Sequence, residues 1–311
     1  MDFKLYAISG YAEAINALRM STSKFYSWEK AQKIRDLVYC TTSRDGSVAS
    51  KEEYESKLPY TDFGIAEDTK GQLSGNYERD VEELKRLLTL TFNNAMKDHK
   101  HHTLMKYIDI SFFTHGLHRG AQDDLDSHAL AFQNRITRES TRLANIQEQR
   151  KSEWYDGKIM TFSEAFKELS MQMPEDLHTE SGTYRLTDFG YVLDRYEQMA
   201  HESGLRKDVL RGLMNLSTPS NALWKINLFD LRHVYRSRSA VGTKANPELK
   251  EGVEQLAEQI KEKLIVFGEH FAEEYTSSGK WAHMNLVRTI TKDEFLEYKR
   301  LKKAQEAGEQ E

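Results

Sequence analysis

The sequence contains one cysteine, Cys40, and only four prolines in 311 residues. A single thiol excludes an intrachain disulfide and a zinc site built from several thiolates. The scarcity of proline excludes long proline-rich linkers. No apolar run approaches the roughly 20 residues that cross a bilayer, and the N-terminus lacks the basic-then-apolar order of a signal peptide. We therefore expect a cytoplasmic protein that does not engage a membrane.

A large positive charge is also missing, because 49 Asp and Glu residues outnumber 44 Lys and Arg residues and give a formal net charge of −5. This balance excludes a generic nucleic-acid polymer as the partner, because such binding depends on a strongly basic surface. A local basic pocket for a small phosphate ligand remains compatible with it. The 30% of charged residues and 39% of apolar residues are typical of a chain with many solvated helical faces.

Two kinds of hydrophobic periodicity predict an α+β fold that is rich in helix. Ile108, Ile110 and Phe112 alternate with polar residues, as in a strand with one buried face, and residues 3–9 have strand-like composition. Apolar residues at helical spacing predict helices at 11–20, 82–97, 123–150, 228–235 and 247–264. The acidic start of the helix at 123–150 suits the positive end of a helix dipole.

Residues 40–76 are rich in Ser, Thr, Gly, Asp and Glu and show weak periodicity. This composition favours a surface insertion rather than core. The last stretch, residues 296–311, is highly charged and is expected to form a fraying tail. We expect a single domain at 1–295 between these limits, with the insertion at about 40–76.

Two clusters of arginine could bind phosphate. Arg135, Arg138 and Arg142 are spaced three and four apart, so on a helix they would share one face; a solvated face paired with glutamates is the favoured interpretation of such a stripe. The second cluster, residues 232–238, ends a predicted helix, where arginine also complements the helix dipole.

Histidines occur before and after the strand at 108–112, at positions 99, 101, 102, 115 and 118. Neither group has the carboxylate-bearing helical arrangement of familiar zinc motifs. Solvated loop histidines explain them better, and we predict no metal site.

Taken together, these segments resemble the flavin-dependent thymidylate synthases, the ThyX family. Residues 190–239 reproduce the family's order of a helix ending in Glu-Ser-Gly, a second helix, a short loop, then Trp224, a two-residue step and Asn227. Residues 12–21 resemble the family's early helix, and residues 101–113 resemble its histidine-led strand. The resemblance covers roughly 200 residues in the family's order.

The family's signature, an Arg-His-Arg run followed by seven residues and a serine, is degenerate here. One alignment places it on residues 134–142, which keep an arginine, a Glu-Ser pair and a final arginine. The other places it on His118 and Arg119, with Ser127 at the matching distance. We favour the first alignment because it follows the strand at the family's distance and keeps the charged residues.

The resemblance implies a ThyX-like fold, a small antiparallel sheet with long helices, in a homotetramer whose active sites form between subunits. It implies FAD as cofactor, with NADPH and methylenetetrahydrofolate as co-substrates. The reaction would transfer a one-carbon unit to C5 of a pyrimidine deoxynucleotide such as dUMP, by methylation or hydroxymethylation. The family has no essential cysteine nucleophile.

The resemblance also assigns roles to residues. Arg238 would contact the base and be catalytic together with Ser140. Glu139, Ser140, Arg142, Asn221 and Arg238 would bind the nucleotide, and Arg135, Asn227, His118 and Arg119 would bind the flavin. Asn221 stands where the family has a loop arginine, which removes a charge-assisted bond of roughly 1.5 to 3 kcal/mol.

Three hypotheses follow in order of preference. The first is a divergent enzyme of this family. The second is a protein that keeps the fold and a nucleotide pocket but has altered catalysis, which the degenerate signature and the missing arginine favour. The third is a helical interaction protein whose similarity is accidental, and the strand at 108–112 argues against it.

Overall fold

The structure, a computed structural model, describes residues 2–23, 26–62, 71–95, 101–127, 135–138, 176–185, 195, 202, 219–238 and 247–265. The predicted fold class, α+β with a small antiparallel sheet and long helices, is confirmed. The chain forms two compact units. One comprises Met1–Lys4, Phe113–Trp224 and Asn246–Gly252, and the other comprises Leu5–Phe112, Lys225–Ala245 and Val253–Glu311.

The described strands are β1 (Asp2–Ser9), β2 (Asp109–His118), β3 (Arg135–Arg138), β4 (Asp176–Thr179), β5 (Gly182–Arg185) and β6 (Pro219–Asn227). The described α-helices are α1 (Tyr11–Thr22), α2 (Trp28–Thr41), α3 (Lys51–Lys57), α4 (Tyr77–Asn93), α5 (Arg119–Ser127), α6 (Leu228–Arg238) and α7 (Pro247–Lys263). Short 3-10 helices occupy Leu58–Tyr60 and His102–Tyr107.

The main sheet has the strand order β1-β2-β6-β3, and β4 and β5 form a separate antiparallel hairpin. The strand predicted at 108–112 is confirmed and extends to His118. Strand β6 is a difference from the prediction, because its start was assigned to a loop. Its side chains follow the period of a strand, with Ala222, Trp224 and Ile226 buried and their neighbours Leu223 and Lys225 exposed.

Strand β1 turns directly into helix α1 at Gly10, which precedes the helix in the left-handed region with φ +93°. A Cβ at this position would lie 1.8 Å from the carbonyl oxygen of Tyr107. Only glycine permits both the backbone angle and this approach. The predicted passage from strand to helix is therefore confirmed.

Helices α1, α2 and α4 pack against one another, and α1 also packs against the 3-10 helix at His102–Tyr107. Their shared apolar faces are almost fully buried, with Ile15, Leu37, Leu84 and Leu88 at most 1% exposed. A side-chain cap begins α4, where Asn76 accepts a hydrogen bond from the backbone N–H of Arg79 at 3.0 Å. The helix predicted at 82–97 thus begins earlier, at Tyr77.

Residues 40–76 were expected on the surface, and the structure instead buries several of them. Cys40, Tyr54 and Leu73 are at most 1% exposed. Tyr54 donates a hydrogen bond to Asp80 at 2.6 Å, which links this segment to helix α4. Burial also raises the pKa of Cys40 to about 12, so the only thiol is protonated at neutral pH. The weak periodicity did not predict this burial because isolated side chains, and not a continuous apolar face, pack into the core.

The long helix predicted at 123–150 is wrong for the residues described. Helix α5 ends at Ser127, and Arg135–Arg138 form strand β3. The helical face that the spacing of Arg135 and Arg138 suggested is therefore not formed, because both residues belong to a strand. The acidic residues also lie in the second half of α5 and not at its positive end.

Helix α7 is confirmed over most of its predicted length. Leu249, Val253, Leu256 and Ile260 are at most 2% exposed, in agreement with their helical spacing. None of the described helices has the length and hydrophobicity of a membrane span.

Candidate active site

Strand β6 ends at Asn227 and helix α6 begins at the next residue, so no loop separates them. The backbone N–H of Leu228 donates to the carbonyl oxygen of Ile108 at 2.8 Å, which anchors this junction. The side-chain Oδ1 of Asn227 accepts from the backbone N–H of Asp230 at 2.9 Å, so Asn227 caps the helix. The junction thus places a half-buried amide at a fixed point.

The side chain of Asp230 also bonds Asn227. Asn227 Nδ2 donates to Asp230 Oδ2. Asp230 is 1% exposed, and its burial raises the pKa of the carboxyl. The other carboxyl oxygen, Oδ1, is buried and has no hydrogen-bond partner among the described residues. A carboxyl group is therefore held in an unfavourable environment directly beside the amide of Asn227.

The asparagine amide is compatible with a bound flavin. An asparagine offers two N–H donors and two carbonyl lone pairs. Asp230 takes one of each, and the side chain of Asn227 is half-buried and not sealed in the core. One donor and one acceptor remain for the polar edge of a flavin ring.

Arg238 lies at the last position of α6 and is half-buried. Asn227, Leu231, Val234 and Arg238 are spaced four, three and four apart, which places them on one side of the helix. Leu231 and Val234 are 2% and 1% exposed. Asn227 and Arg238 are thus the polar ends of a buried stripe, about 16 Å apart along the helix axis.

A second arginine of this cluster, Arg232, is more deeply buried, at 8% exposure. Its guanidinium lies 4.6 Å from the ring centroid of Phe229 and donates to Met105 Sδ at 3.6 Å. Lys106 approaches the same ring at 5.2 Å. Burial lowers the pKa of Arg232 to about 10, which leaves it charged at neutral pH. Sequence reasoning missed this pair, although the spacing Phe229 to Arg232 is a helical one.

Asn221 lies in strand β6. Its Oδ1 accepts from the backbone N–H of Gly116 in strand β2 at 3.0 Å. Three residues further along, Trp224 Nε1 donates to Thr114 Oγ1 at 2.9 Å. Asn221 is therefore part of the side-chain bonding between two strands, at a position where a loop residue was expected.

His118 and Arg119 lie at the start of helix α5. His118 Nδ1 accepts from the backbone N–H of Ala121 at 3.0 Å, so the ring caps the helix and carries its proton on Nε2 when neutral. Arg119 approaches Asp123 at 3.6 Å. The imidazole and the guanidinium are both used by their own helix in this structure.

Arg138 of strand β3 also contacts Asp123, together with a second acidic residue of α5, Asp126. It lies 3.1 Å from Asp123 and 3.3 Å from Asp126, and its side chain is 17% exposed. The acidic residues of α5 thus neutralise Arg138. Arg138 is thus paired with carboxylates, but in a strand and with aspartates, not on the solvated helical face paired with glutamates that the spacing favoured.

Four of the predicted site residues lie wholly or partly outside the described part of the structure. The backbone of Arg135 lies in strand β3, and its side chain is not described. Glu139, Ser140 and Arg142 lie outside the described residues. The structure places Asn227 at the end of strand β6 and Arg238 at the end of helix α6, both in one compact unit, and Asn221, His118 and Arg119 in the other.

Within the described residues, no group of three or more His, Cys, Asp or Glu side chains is arranged to hold a metal. His115 is 5% exposed, and burial lowers its pKa to about 4. The ring of His102 lies 6.3 Å from that of Phe229. These two histidines thus contribute to packing, and His99 lies outside the described residues.

Comparisons with known proteins give one family match and several similar structures. The family model described as thymidylate synthase complementing protein matches residues 15–264. Thymidylate synthase X from Helicobacter pylori, solved with FAD and dUMP, is 14% identical, with 86% of this chain and 98% of that chain covered and a TM-score of 0.46. The UMP/dUMP methylase PolB from Streptomyces cacaoi is 13% identical, with 82% and 87% covered and a TM-score of 0.40. The curated proteins contain no match.

Proposed function

Because the chain belongs to the family of the thymidylate synthase complementing protein, we propose that it transfers a one-carbon unit to C5 of a pyrimidine deoxynucleotide. The reaction depends on FAD, with methylenetetrahydrofolate as carbon donor and NADPH as reductant. The observation that carries the proposal is the extent of the family match, residues 15–264. The match includes the β2–α5 and β6–α6 segments, which hold five of the candidate residues: His118, Arg119, Asn221, Asn227 and Arg238. The homotetramer, the single domain and the cytoplasmic location stay predictions.

Asn227 is the flavin-binding residue with the strongest structural support. Its amide keeps one donor and one acceptor beyond those that Asp230 uses, and it sits at a rigid junction of strand and helix. When bound, the flavin supplies the reducing equivalents for the reaction. Arg135, His118 and Arg119 remain proposed flavin ligands.

Arg238 is the proposed residue at the base. A cation near a uracil carbonyl stabilises the negative charge that develops when C5 becomes nucleophilic. The half-buried position of Arg238 strengthens such an interaction, because partial exclusion of water lowers the local dielectric. Glu139, Ser140 and Arg142 are proposed to bind the nucleotide, with Ser140 also in the catalytic centre.

The test is a turnover assay with FAD, NADPH, methylenetetrahydrofolate and dUMP, in which mass spectrometry distinguishes a methylated from a hydroxymethylated product. We expect product from the wild type and none from Arg238→Ala, while both proteins retain FAD. Arg86→Ala is the matched control, because Arg86 is an exposed arginine paired with Glu83 on α4. Wild-type turnover in Arg238→Ala would remove the assignment of Arg238. Absence of product from an FAD-loaded wild type would refute one-carbon transfer to dUMP.

One observation favours the second candidate, a nucleotide-binding protein with altered catalysis. Asn221 replaces the family's loop arginine, and its Oδ1 is bonded to Gly116 within the sheet. A neutral amide lacks the positive charge and the bidentate geometry with which arginine binds phosphate, and loss of such an Arg–phosphate contact costs roughly 1.5 to 3 kcal/mol. Calorimetric titration with dUMP tests this candidate: it predicts binding without turnover, and turnover would exclude it.

A further inference from the structure

The side chain of Asp230 is not needed to cap helix α6. The cap is the bond from the backbone N–H of residue 230 to Asn227 Oδ1, and any residue other than proline at position 230 keeps that N–H. The carboxyl group nevertheless occupies a buried site, where one of its oxygens has no hydrogen-bond partner among the described residues. Burying a carboxyl group costs free energy, so the hydrogen bond that it accepts from Asn227 Nδ2 is the interaction that can explain its presence.

The bond to Asn227 Nδ2 fixes the orientation of the amide. An asparagine amide can turn over and exchange its oxygen and nitrogen with little change of shape. In the observed orientation, the oxygen faces a backbone N–H and the nitrogen faces a carboxylate oxygen. The reversed orientation would place N–H against N–H and oxygen against oxygen. The two contacts with Asp230 therefore leave a single arrangement for the remaining donor and acceptor.

We propose that Asp230 is a positioning residue for the flavin, which acts by holding the amide of Asn227 in the orientation that binds the ring. The inference rests on the proposed function, since it requires FAD at Asn227. It goes beyond it by assigning a role to a buried carboxyl group that does not itself touch the cofactor. Position 230 then requires an oxygen acceptor, and the negative charge is dispensable.

The experiment measures FAD affinity of the flavin-free protein by quenching of flavin fluorescence. Asp230→Ala removes the acceptor, and we expect it to weaken FAD binding about tenfold. Asp230→Asn keeps an oxygen of the same reach, and we expect its affinity within about twofold of wild type. If Asp230→Ala fails to fold, Asp230→Leu, which has the same branching but two methyl groups in place of the oxygens, also removes the acceptor and carries the same expectation.

A second background separates positioning from a general loss of structure. In Asn227→Ala there is no amide to orient, so adding Asp230→Ala should change FAD affinity by less than about twofold. Thermal unfolding of each flavin-free variant reports the structural cost separately. Asn76→Ala, which removes the cap of helix α4, is the matched control: it should lower the unfolding temperature and leave FAD affinity unchanged.

Three results would overturn the inference while the proposed function stands: wild-type FAD affinity in Asp230→Ala, equal weakening in Asp230→Asn and Asp230→Ala, or losses that add in the double variant. A wild-type protein that binds no FAD would instead refute the proposed function, and the inference with it.

Discussion

Replacing Asp80 by alanine tests whether residues 40–76 belong to the core. Asp80 is 1% exposed and accepts hydrogen bonds from the hydroxyl groups of Tyr54 and Ser74, each at 2.6 Å. It also accepts from the backbone N–H of Ser74 at 2.9 Å and of Gly75 at 3.2 Å. One carboxylate thus joins α3, the connecting residues 74–75 and α4.

The expected loss of stability follows from these contacts. A hydrogen bond to a charged group contributes about 1.5 to 3 kcal/mol, and a buried group left without its bond costs about 1 to 3 kcal/mol. Tyr54 is 1% exposed, so its hydroxyl would be stranded, whereas Ser74 and Gly75 are accessible enough to bond water. We therefore expect Asp80→Ala to lower the free energy of unfolding by about 3 to 5 kcal/mol.

The assay is urea denaturation at pH 7 and one protein concentration, because association changes apparent stability. Asp109→Ala is the control: Asp109 pairs with Lys225 at 2.7 Å in a partly exposed position, where such a pair contributes at most about 1 kcal/mol. A loss below about 1 kcal/mol for Asp80→Ala would refute the reasoning and return residues 40–76 to the surface.

Three further predictions concern stability. Gly10→Ala should destabilise the protein by at least about 2 kcal/mol in thermal unfolding, because its Cβ would meet the Tyr107 carbonyl and its φ is strained; an unchanged unfolding temperature would contradict the described junction. The pKa of His115 is lowered to about 4 from 6.5, so its contribution to stability is present above pH 6.5 and lost as the pH falls through 4. Between pH 6.5 and pH 4, the free energy of unfolding of His115→Gln should therefore fall less than that of the wild type. The pKa of the Asp230 carboxyl is raised from 3.8, so its contribution is present below pH 3.8 and lost as the pH rises. Asp230→Asn should gain stability relative to wild type as the pH rises above 4, and a pH-independent difference would count against it.

Local periodicity predicted much of the fold, but it failed where contacts between distant residues determine the secondary structure. Ile108, Ile110 and Phe112 revealed strand β2 because one of its faces is buried. The same alternation was present in β6 at Ala222, Trp224 and Ile226, but the preceding Thr-Pro-Ser-Asn favoured a loop. Pairing with a distant strand overrides that local preference.

In the candidate site, too, contacts between neighbouring residues could be predicted and contacts between distant residues could not. An asparagine followed three residues later by an acidic residue is a helix-start pattern, so the Asn227–Asp230 contact was open to prediction. The bond between Asn221 and Gly116 joins residues 105 apart, and no local pattern encodes it. The pairing of Arg138 with Asp123 requires a strand where helical spacing indicated a helix.

The visible absorption spectrum tests the central claim, that this chain is a flavoprotein acting on a nucleotide. The protein is purified, mixed with FAD, passed through gel filtration to remove the excess, and scanned before and after. We predict flavin bands that elute with the protein and diminish in Asn227→Ala. A colourless wild-type protein after this treatment would contradict the flavin-dependent function.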